Sequence, residues 1–404
     1  MGKQQTNCAI SAFQSAVLAD PKSWQSRFNL GVAFARAGNA RRSIEELRKA
    51  VQASPDLPQI HDALGVVLEQ TGDLSDAESE LRSALAMKPE SAVTLQHLGE
   101  VLVAEKHYTA GESYLRRAVK LQPQDVGHAL ALAEALYGGG KANDAIKLLQ
   151  TTAAEHPSSA VAQFNLAMTL AEEKQFSEAL PFFQQAVKLD PENDVARISL
   201  SKVLIRLDRQ ADALALLDGI VRRQPGNAEA HYLLGFAYRE LGEYNKAQPE
   251  LKTAVEMNPN DFDSEYNYGF VLARLGRLRE AKLRFESARK LRPDSEEALF
   301  QLASLSRRLN ESDQAKKEFA ELEQEKAHKR INDIAGTTSN KANQELQKGD
   351  PSAALKGYLD ALKLDPDNAK TYYNLALAQS QLNDQNASAR SLRKALGGGL
   401  LKAS

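Results

Sequence analysis

The chain has 404 residues, with 51 Lys and Arg against 53 Asp and Glu, for a formal net charge of −2. So even a balance supplies no field to draw in nucleic acid or anionic lipid as the principal partner. No run of about 18 apolar residues exists to cross a bilayer, and the single cysteine, Cys8, excludes intrachain disulfides and thiolate metal sites.

From the N-terminus, Met1 to Thr6 lack the apolar stretch of a signal peptide and fit the loose myristoylation pattern of Gly2 with Thr6. A soluble protein without membrane insertion is expected, with the cytoplasm the favoured location. Residues 1–23, through Ala9, Phe13, Ala16 and Pro21, read as a half repeat that supplies only a second helix.

From residue 24 a strict period governs the chain. Pro21, Pro55, Pro89, Pro123, Pro157, Pro191, Pro225, Pro259 and Pro293 stand 34 positions apart without insertion or deletion. Numbering places from residue 24, small residues fill the eighth place (Gly31, Gly65, Gly99, Ala133, Ala167, Ser201, Gly235, Gly269, Ala303). The twentieth repeats the rule from Ser43 and Ala77 to Ala315, and the twenty-seventh mostly does so from Ala50 to Ala288. Such columns let helices approach closely. Apolar residues between them recur at helical spacing, so each unit reads as two amphipathic helices. Gly38, Gly72, Gly140, Gly242 and Gly276 mark the break between those helices with a residue suited to left-handed backbone. Proline at the thirty-second place stops the second helix. Pro181 and Pro249 fall inside second helices and predict local kinks there.

Nine tandem units are thus expected over 24–329. The ninth lacks its proline, so its second helix is expected to run on through a helical insertion at 330–334. The register resumes at Ala335, and Ala342, Gly349, Ala354, Ala361, Pro366, Ala376 and Ala395 define two further units over 335–402.

These residues resemble the tetratricopeptide repeat (TPR). The resemblance implies an all-α, right-handed α-solenoid of about eleven stacked helix-turn-helix repeats plus the half repeat. It also implies that the first helix of each unit lines a concave groove with its places 2, 5, 6, 9, 12 and 13. The sixth place is often asparagine (Asn29, Asn165, Asn267, Asn340, Asn374), interrupted by Ala63, Ala131 and Leu233 among others. An amide that both donates and accepts suits the backbone of an extended peptide. The row is similar to the asparagine ladder in the repeat region of O-GlcNAc transferase; the alternative is that these side chains cap neighbouring turns or face water.

Aromatics crowd the fifth and ninth places, at Phe28, Phe164, Tyr232, Phe236, Tyr266, Phe270, Phe300 and Tyr373. With Arg239 and Arg274 beside them, those of the seventh and eighth units form a hot-spot composition suited to a peptide bearing apolar and acidic groups. Packing between first helices is the competing reading. A basic patch at Arg274, Arg277, Arg279, Arg307 and Arg308 would attract acidic tails. Asn343 and Asn374 match a carboxylate clamp, but Ser339 replaces its first lysine. Scattered histidines, a Gly138–Lys141 turn without a following Ser or Thr, and no nucleophile elbow argue against metal, cofactor and enzyme.

The expected function is a protein-interaction scaffold that binds other proteins or peptides in its groove. One alternative is a substrate-recruiting region of a larger multidomain protein, such as a glycosyltransferase-like enzyme. The other is a structural solenoid that forms homo-oligomers through its uncapped ends.

Overall fold

The computed structural model describes residues 2–397, which form 22 α-helices and no strand. They fall into two compact units, Met1–Arg223 and Gln224–Ser404. The N-terminal unit holds α1 (Gly2–Ala19), α2 (Trp24–Arg36), α3 (Ala40–Ala53), α4 (Pro58–Thr71), α5 (Leu74–Met87), α6 (Ala92–Ala104) and α7 (Tyr108–Leu121). It continues through α8 (Val126–Gly138), α9 (Ala142–Glu155), α10 (Ala160–Glu172), α11 (Phe176–Leu189), α12 (Asp194–Arg206) and α13 (Gln210–Arg223). The C-terminal unit holds α14 (Ala228–Glu240), α15 (Tyr244–Met257), α16 (Phe262–Arg274), α17 (Leu278–Leu291) and α18 (Glu296–Arg308). It ends with α19 (Ser312–Gln347), α20 (Pro351–Leu364), α21 (Ala369–Gln381) and α22 (Gln385–Gly397). This is the all-α helical-repeat solenoid that the period predicts.

Three signals make most of the hairpins. Two residues after the proline, a Ser, Asp or Asn opens the first helix, and its side chain accepts the backbone N–H three residues on: Ser23, Ser91, Asp125, Ser159 and Asn193 in the N-terminal unit. Asn227, Asp261, Ser295 and Asn368 repeat the device in the C-terminal unit. Each satisfies a donor that the helix cannot. At the other end of the first helix the fifteenth place takes a left-handed conformation, with φ of 74° at Gly38 and 83° at Gly72. Where glycine is missing the geometry persists: Lys106, Lys174, Asp208, Asn310 and Asn383 all have positive φ. Hairpin packing therefore overrides a local cost of about 1 kcal/mol at Lys106 and Lys174.

The third signal is the close approach of the two helices. A Cβ built on Gly99 would lie 2.5 Å from Leu115 Cγ, and one on Gly65 would lie 2.6 Å from Leu81 Cγ. The glycine thus makes room for the fully buried leucine of its partner helix. In the N-terminal unit the second-helix leucines Leu47 and Leu81 join Leu64, Leu68, Leu98 and Leu102 in one core. In the C-terminal unit Leu251 and Phe285 do the same beside Val271, Leu272 and Leu305.

A polar clasp ties the fourth place of several first helices to the twenty-third on the second. Arg27 donates to the Pro21 carbonyl and to Glu46, both at 2.8 Å. His61 lies 2.8 Å from the Pro55 carbonyl and 2.5 Å from Glu80. His231 repeats this with Pro225 and Glu250 at 3.1 and 2.7 Å. In the eighth unit the partners are exchanged, Arg284 donating to the buried Glu265 at 3.3 Å. Two of the histidines that look scattered in the sequence are thus structural.

α11 and α15 run through Pro181 and Pro249 without interruption. α19 is a single helix of 36 residues. Ala327 and Lys329 stand where the period would place the proline and the cap, so nothing halts the helix before Gln347. It packs against α18 near its start and against α20 and α21 further on.

Lys174→Gly should stabilise the chain by about 1 kcal/mol, because glycine accepts φ of 60° without a Cβ clash. A urea midpoint that fails to rise, at unchanged slope, would contradict this.

Candidate functional site

Within the N-terminal unit α2, α4, α6, α8, α10 and α12 touch one another in series, as well as packing on their own second helices. The first helices therefore occupy the crowded, concave side. Across α4, α6, α8 and α10 lies an open groove of about 920 Å³. Its lining falls almost entirely at the places expected for the inner face: Gln96, Leu130 and Phe164 (fifth), Ala131 and Asn165 (sixth), Glu100, Glu134 and Met168 (ninth), and Glu69 and Tyr137 (twelfth). Tyr108, from the start of α7, closes one wall.

The groove's charge is one-sided. α4, α6, α8 and α10 together carry Asp62, Glu69, Glu100, Glu134 and Glu172 but no lysine or arginine. Every lysine and arginine between Pro58 and Glu172 lies on a second helix or in a turn. Lys141, for instance, is held by Glu112 at 2.7 Å on the second-helix side. Asp62 pairs with His97 at 3.0 Å, and Glu100 accepts from Gln96 at 2.7 Å. Burial opposes charge on His97, but the Asp62 hydrogen bond and the fields of Asp62, Glu100 and Glu69 outweigh it and lift the imidazole above its ordinary pKa. Burial, then the carboxylates of Glu100 and Glu134, raise Glu69 above the usual carboxylate value, with His97 pulling the other way. Burial, the Glu173 hydrogen bond and the fields of Glu172 and Glu173 push the Tyr137 hydroxyl up to about 12, so it stays protonated and donates to Glu173 at 3.1 Å.

The predicted site residues separate into distinct environments. Phe164 and Asn165 line this groove, though Phe164 also packs edge-on against Phe183 at 5.8 Å and Asn165 donates to the Val161 carbonyl at 2.9 Å. Phe28 and Asn29 line a smaller groove of about 640 Å³ between α1 and α2, with Phe13, Val32 and Arg36. Asn340 and Tyr373 are exposed. Asn374 donates to Asn343 at 2.9 Å, Tyr358 donates to the same oxygen at 2.6 Å, and Ser339 accepts from Thr371. The residues compared with a carboxylate clamp are thus bonded within the protein.

In the C-terminal unit the aromatic cluster forms as one wall of α14 and α16. Arg239 lies 4.4 Å from the Phe270 ring centroid and 5.2 Å from that of Phe236, and donates to Asn267 at 2.5 Å. Asn267 is buried and donates in turn to the Asp263 carbonyl at 2.6 Å. Tyr266 stacks on Phe262 at 5.8 Å and meets Phe285 edge-on at 5.3 Å; Tyr232 is tilted against Phe236 at 6.0 Å. Arg274 is exposed, lying over Tyr244 at 5.4 Å and Phe270 at 5.6 Å. Arg239 and Asn267 therefore brace neighbouring repeats, and Arg274 keeps its solvent face.

Sequence reasoning passed over Glu69, Glu100, Glu134, Glu172, Tyr137 and Met168. Their signal was present in the absence of basic residues from four successive first helices.

Asn267→Ala should cost about 1–3 kcal/mol, because it breaks a buried bond to a charged donor; an unchanged denaturant midpoint would contradict the bracing role. For Glu69 the raised pKa means the folded chain holds its proton more readily than the unfolded one. The carboxyl thus favours the fold at acid pH, and this contribution is lost as pH rises through the folded value. Glu69→Gln should be the more stable chain at neutral pH, and the gap should close as pH falls to the ordinary carboxylate value. Parallel denaturation curves across pH check this, and a pH-independent gap would contradict it.

One family model, described as tetratricopeptide repeat, matches residues 4–58, 63–126 and 130–194, and a second of the same description matches 170–235 and 211–268. A third, described as TPR repeat, matches 342–383. Together they cover well over half of the chain. Among solved structures, pilF of Pseudomonas aeruginosa is similar at 20% identity and a TM-score of 0.43, over 51% of this chain and 94% of its own. A tetratricopeptide repeat protein of Parabacteroides merdae is similar at 14% identity and a TM-score of 0.46, over 62% of this chain and 98% of its own. YrrB, described as a TPR protein with an unusual peptide-binding site, is similar at 21% identity and a TM-score of 0.37, over 46% and 97% respectively. No curated protein matches the sequence.

Proposed function

Because the chain belongs to the tetratricopeptide-repeat family and is a protein-interaction repeat scaffold, we propose that it holds an extended segment of a partner protein along the inner faces of its first helices. The observation that carries this reading is the groove across α4, α6, α8 and α10, where four repeats leave the same helical places uncovered. A cleft of about 920 Å³ is in the range that takes a ligand, with apolar walls and a few polar groups to orient it. Successive repeats offer similar places at regular intervals, which suits a guest that repeats along its own length.

Phe164, Asn165, Met168 and Tyr137 are the contact residues in this unit. In the C-terminal unit Tyr232, Phe236, Tyr266, Phe270 and Arg274 serve a guest with apolar and acidic groups, while Arg239 and Asn267 hold that wall in place. Phe28, Asn29, Asn340, Asn374 and Tyr373 mark the equivalent faces elsewhere in the array. Tetratricopeptide repeats are typically non-catalytic, and the chemistry required here is recognition alone.

Peptides selected from a random display library against the intact chain provide the test. Tyr137→Ala with Met168→Ala should weaken their binding about tenfold at unchanged helical content. Undiminished binding of every selected peptide by this variant would place recognition outside the groove.

A further inference from the structure

Resting on the groove reading, we propose that the N-terminal groove takes a cationic guest: an extended protein segment whose Lys or Arg side chains sit among Glu69, Glu100, Glu134 and Glu172. Its aliphatic stems lie along Tyr108, Tyr137, Phe164 and Met168. Three observations converge on that occupant. The first is segregation, since the chain as a whole is nearly neutral while four consecutive inner helices hold acidic residues and no lysine or arginine. The second is the lack of internal compensation: Glu69, Glu100, Glu134 and Glu172 make no salt bridge to lysine or arginine among the described residues, although cations are plentiful on the second helices behind them. The third is shape. The carboxylates line a concave, partly apolar cleft rather than a convex face, and a cleft of one sign concentrates field and draws in the opposite charge.

The cleft wall suits long cationic side chains in particular. Lys and Arg stems bury well against aromatic and thioether surface while the charged head stays at the carboxylates. A small ion would leave Tyr108, Tyr137, Phe164 and Met168 unused, and no group of three or more ligating side chains among the described residues is arranged to hold a metal. The first helices α14, α16 and α18 of the C-terminal unit differ in carrying both signs, with Arg239, Arg274, Arg307 and Arg308 in their last turns beside Glu229, Glu240, Asp263, Glu265, Glu296 and Glu297.

The test uses the full chain and two synthetic fluorescein-labelled peptides, one alternating arginine with serine and leucine, the other with glutamate in place of each arginine. The arginine peptide should bind more tightly by about tenfold or more, lose that advantage as salt shortens the screening length, and protect amides of α6, α8 and α10 from hydrogen exchange. The variant E69Q/E100Q/E134Q/E172Q should bind it about tenfold more weakly, with helical content checked by circular dichroism. The comparison of peptides on the unaltered chain stands even if that variant folds poorly. Equal protection of the groove by both peptides would overturn the cationic preference and leave the groove reading intact. Protection by neither would overturn both. Protection that grows with the chain's own concentration in the absence of peptide would assign the groove to a second copy and also overturn the proposal.

Discussion

Everything in this molecule depends on how closely the two helices of a hairpin approach. The leucine of the second helix lies over a glycine of the first at a distance that leaves no room for a Cβ without a shift, as at Gly99 against Leu115 and Gly235 against Leu251. That contact draws the second helices into the core of each unit and leaves the other face of the first helices uncovered. The geometry also dictates the turn. A left-handed residue is required at each inter-helix junction, and the chain adopts that conformation at Lys106 and Lys174 as well as at Gly72. Packing across a repeat thus outweighs a local backbone preference of about 1 kcal/mol.

Polar groups follow the same division. Many serve the hairpin: the caps that open most first helices, and the clasps of Arg27, His61 and His231 to a proline carbonyl and a glutamate. Arg239 and Asn267 link neighbouring repeats. Of the groove carboxylates, Glu69 and Glu134 have no such role. Glu69 sits at a raised pKa among like charges, a disposition that costs the folded chain stability at neutral pH. Functional surfaces commonly retain costs of this kind because the partner offsets them.

The one-sided charge of α4, α6, α8 and α10 also shows why total charge is a poor guide to partners in a repeat protein. A net of −2 suggests no electrostatic preference, yet it includes one stretch whose inner helices hold acids alone, its cations lying on outer helices and in turns, and another whose inner helices carry both signs. In a solenoid each face is a separate surface, and each place in the period has its own charge balance.

The sequence by itself determined the architecture, because the signals that build a hairpin are local and recur: proline, a cap two residues later, small residues at fixed places, a glycine at the turn. Which places face inward came from the resemblance to the tetratricopeptide repeat, helical periodicity adding only that they share one stripe. The sequence did not determine what the inward side chains do there. Asn267 and Arg239 read as groove residues from their places, but side-chain reach across one repeat lets them bond to each other. Asn374 is bonded to Asn343 for the same reason. Only the tertiary structure showed that Glu69, Glu100, Glu134 and Glu172, residues dozens of positions apart, share one cleft. Stacking converts a distance of 34 residues along the chain into the spacing of adjacent helices, and no local pattern carries that information.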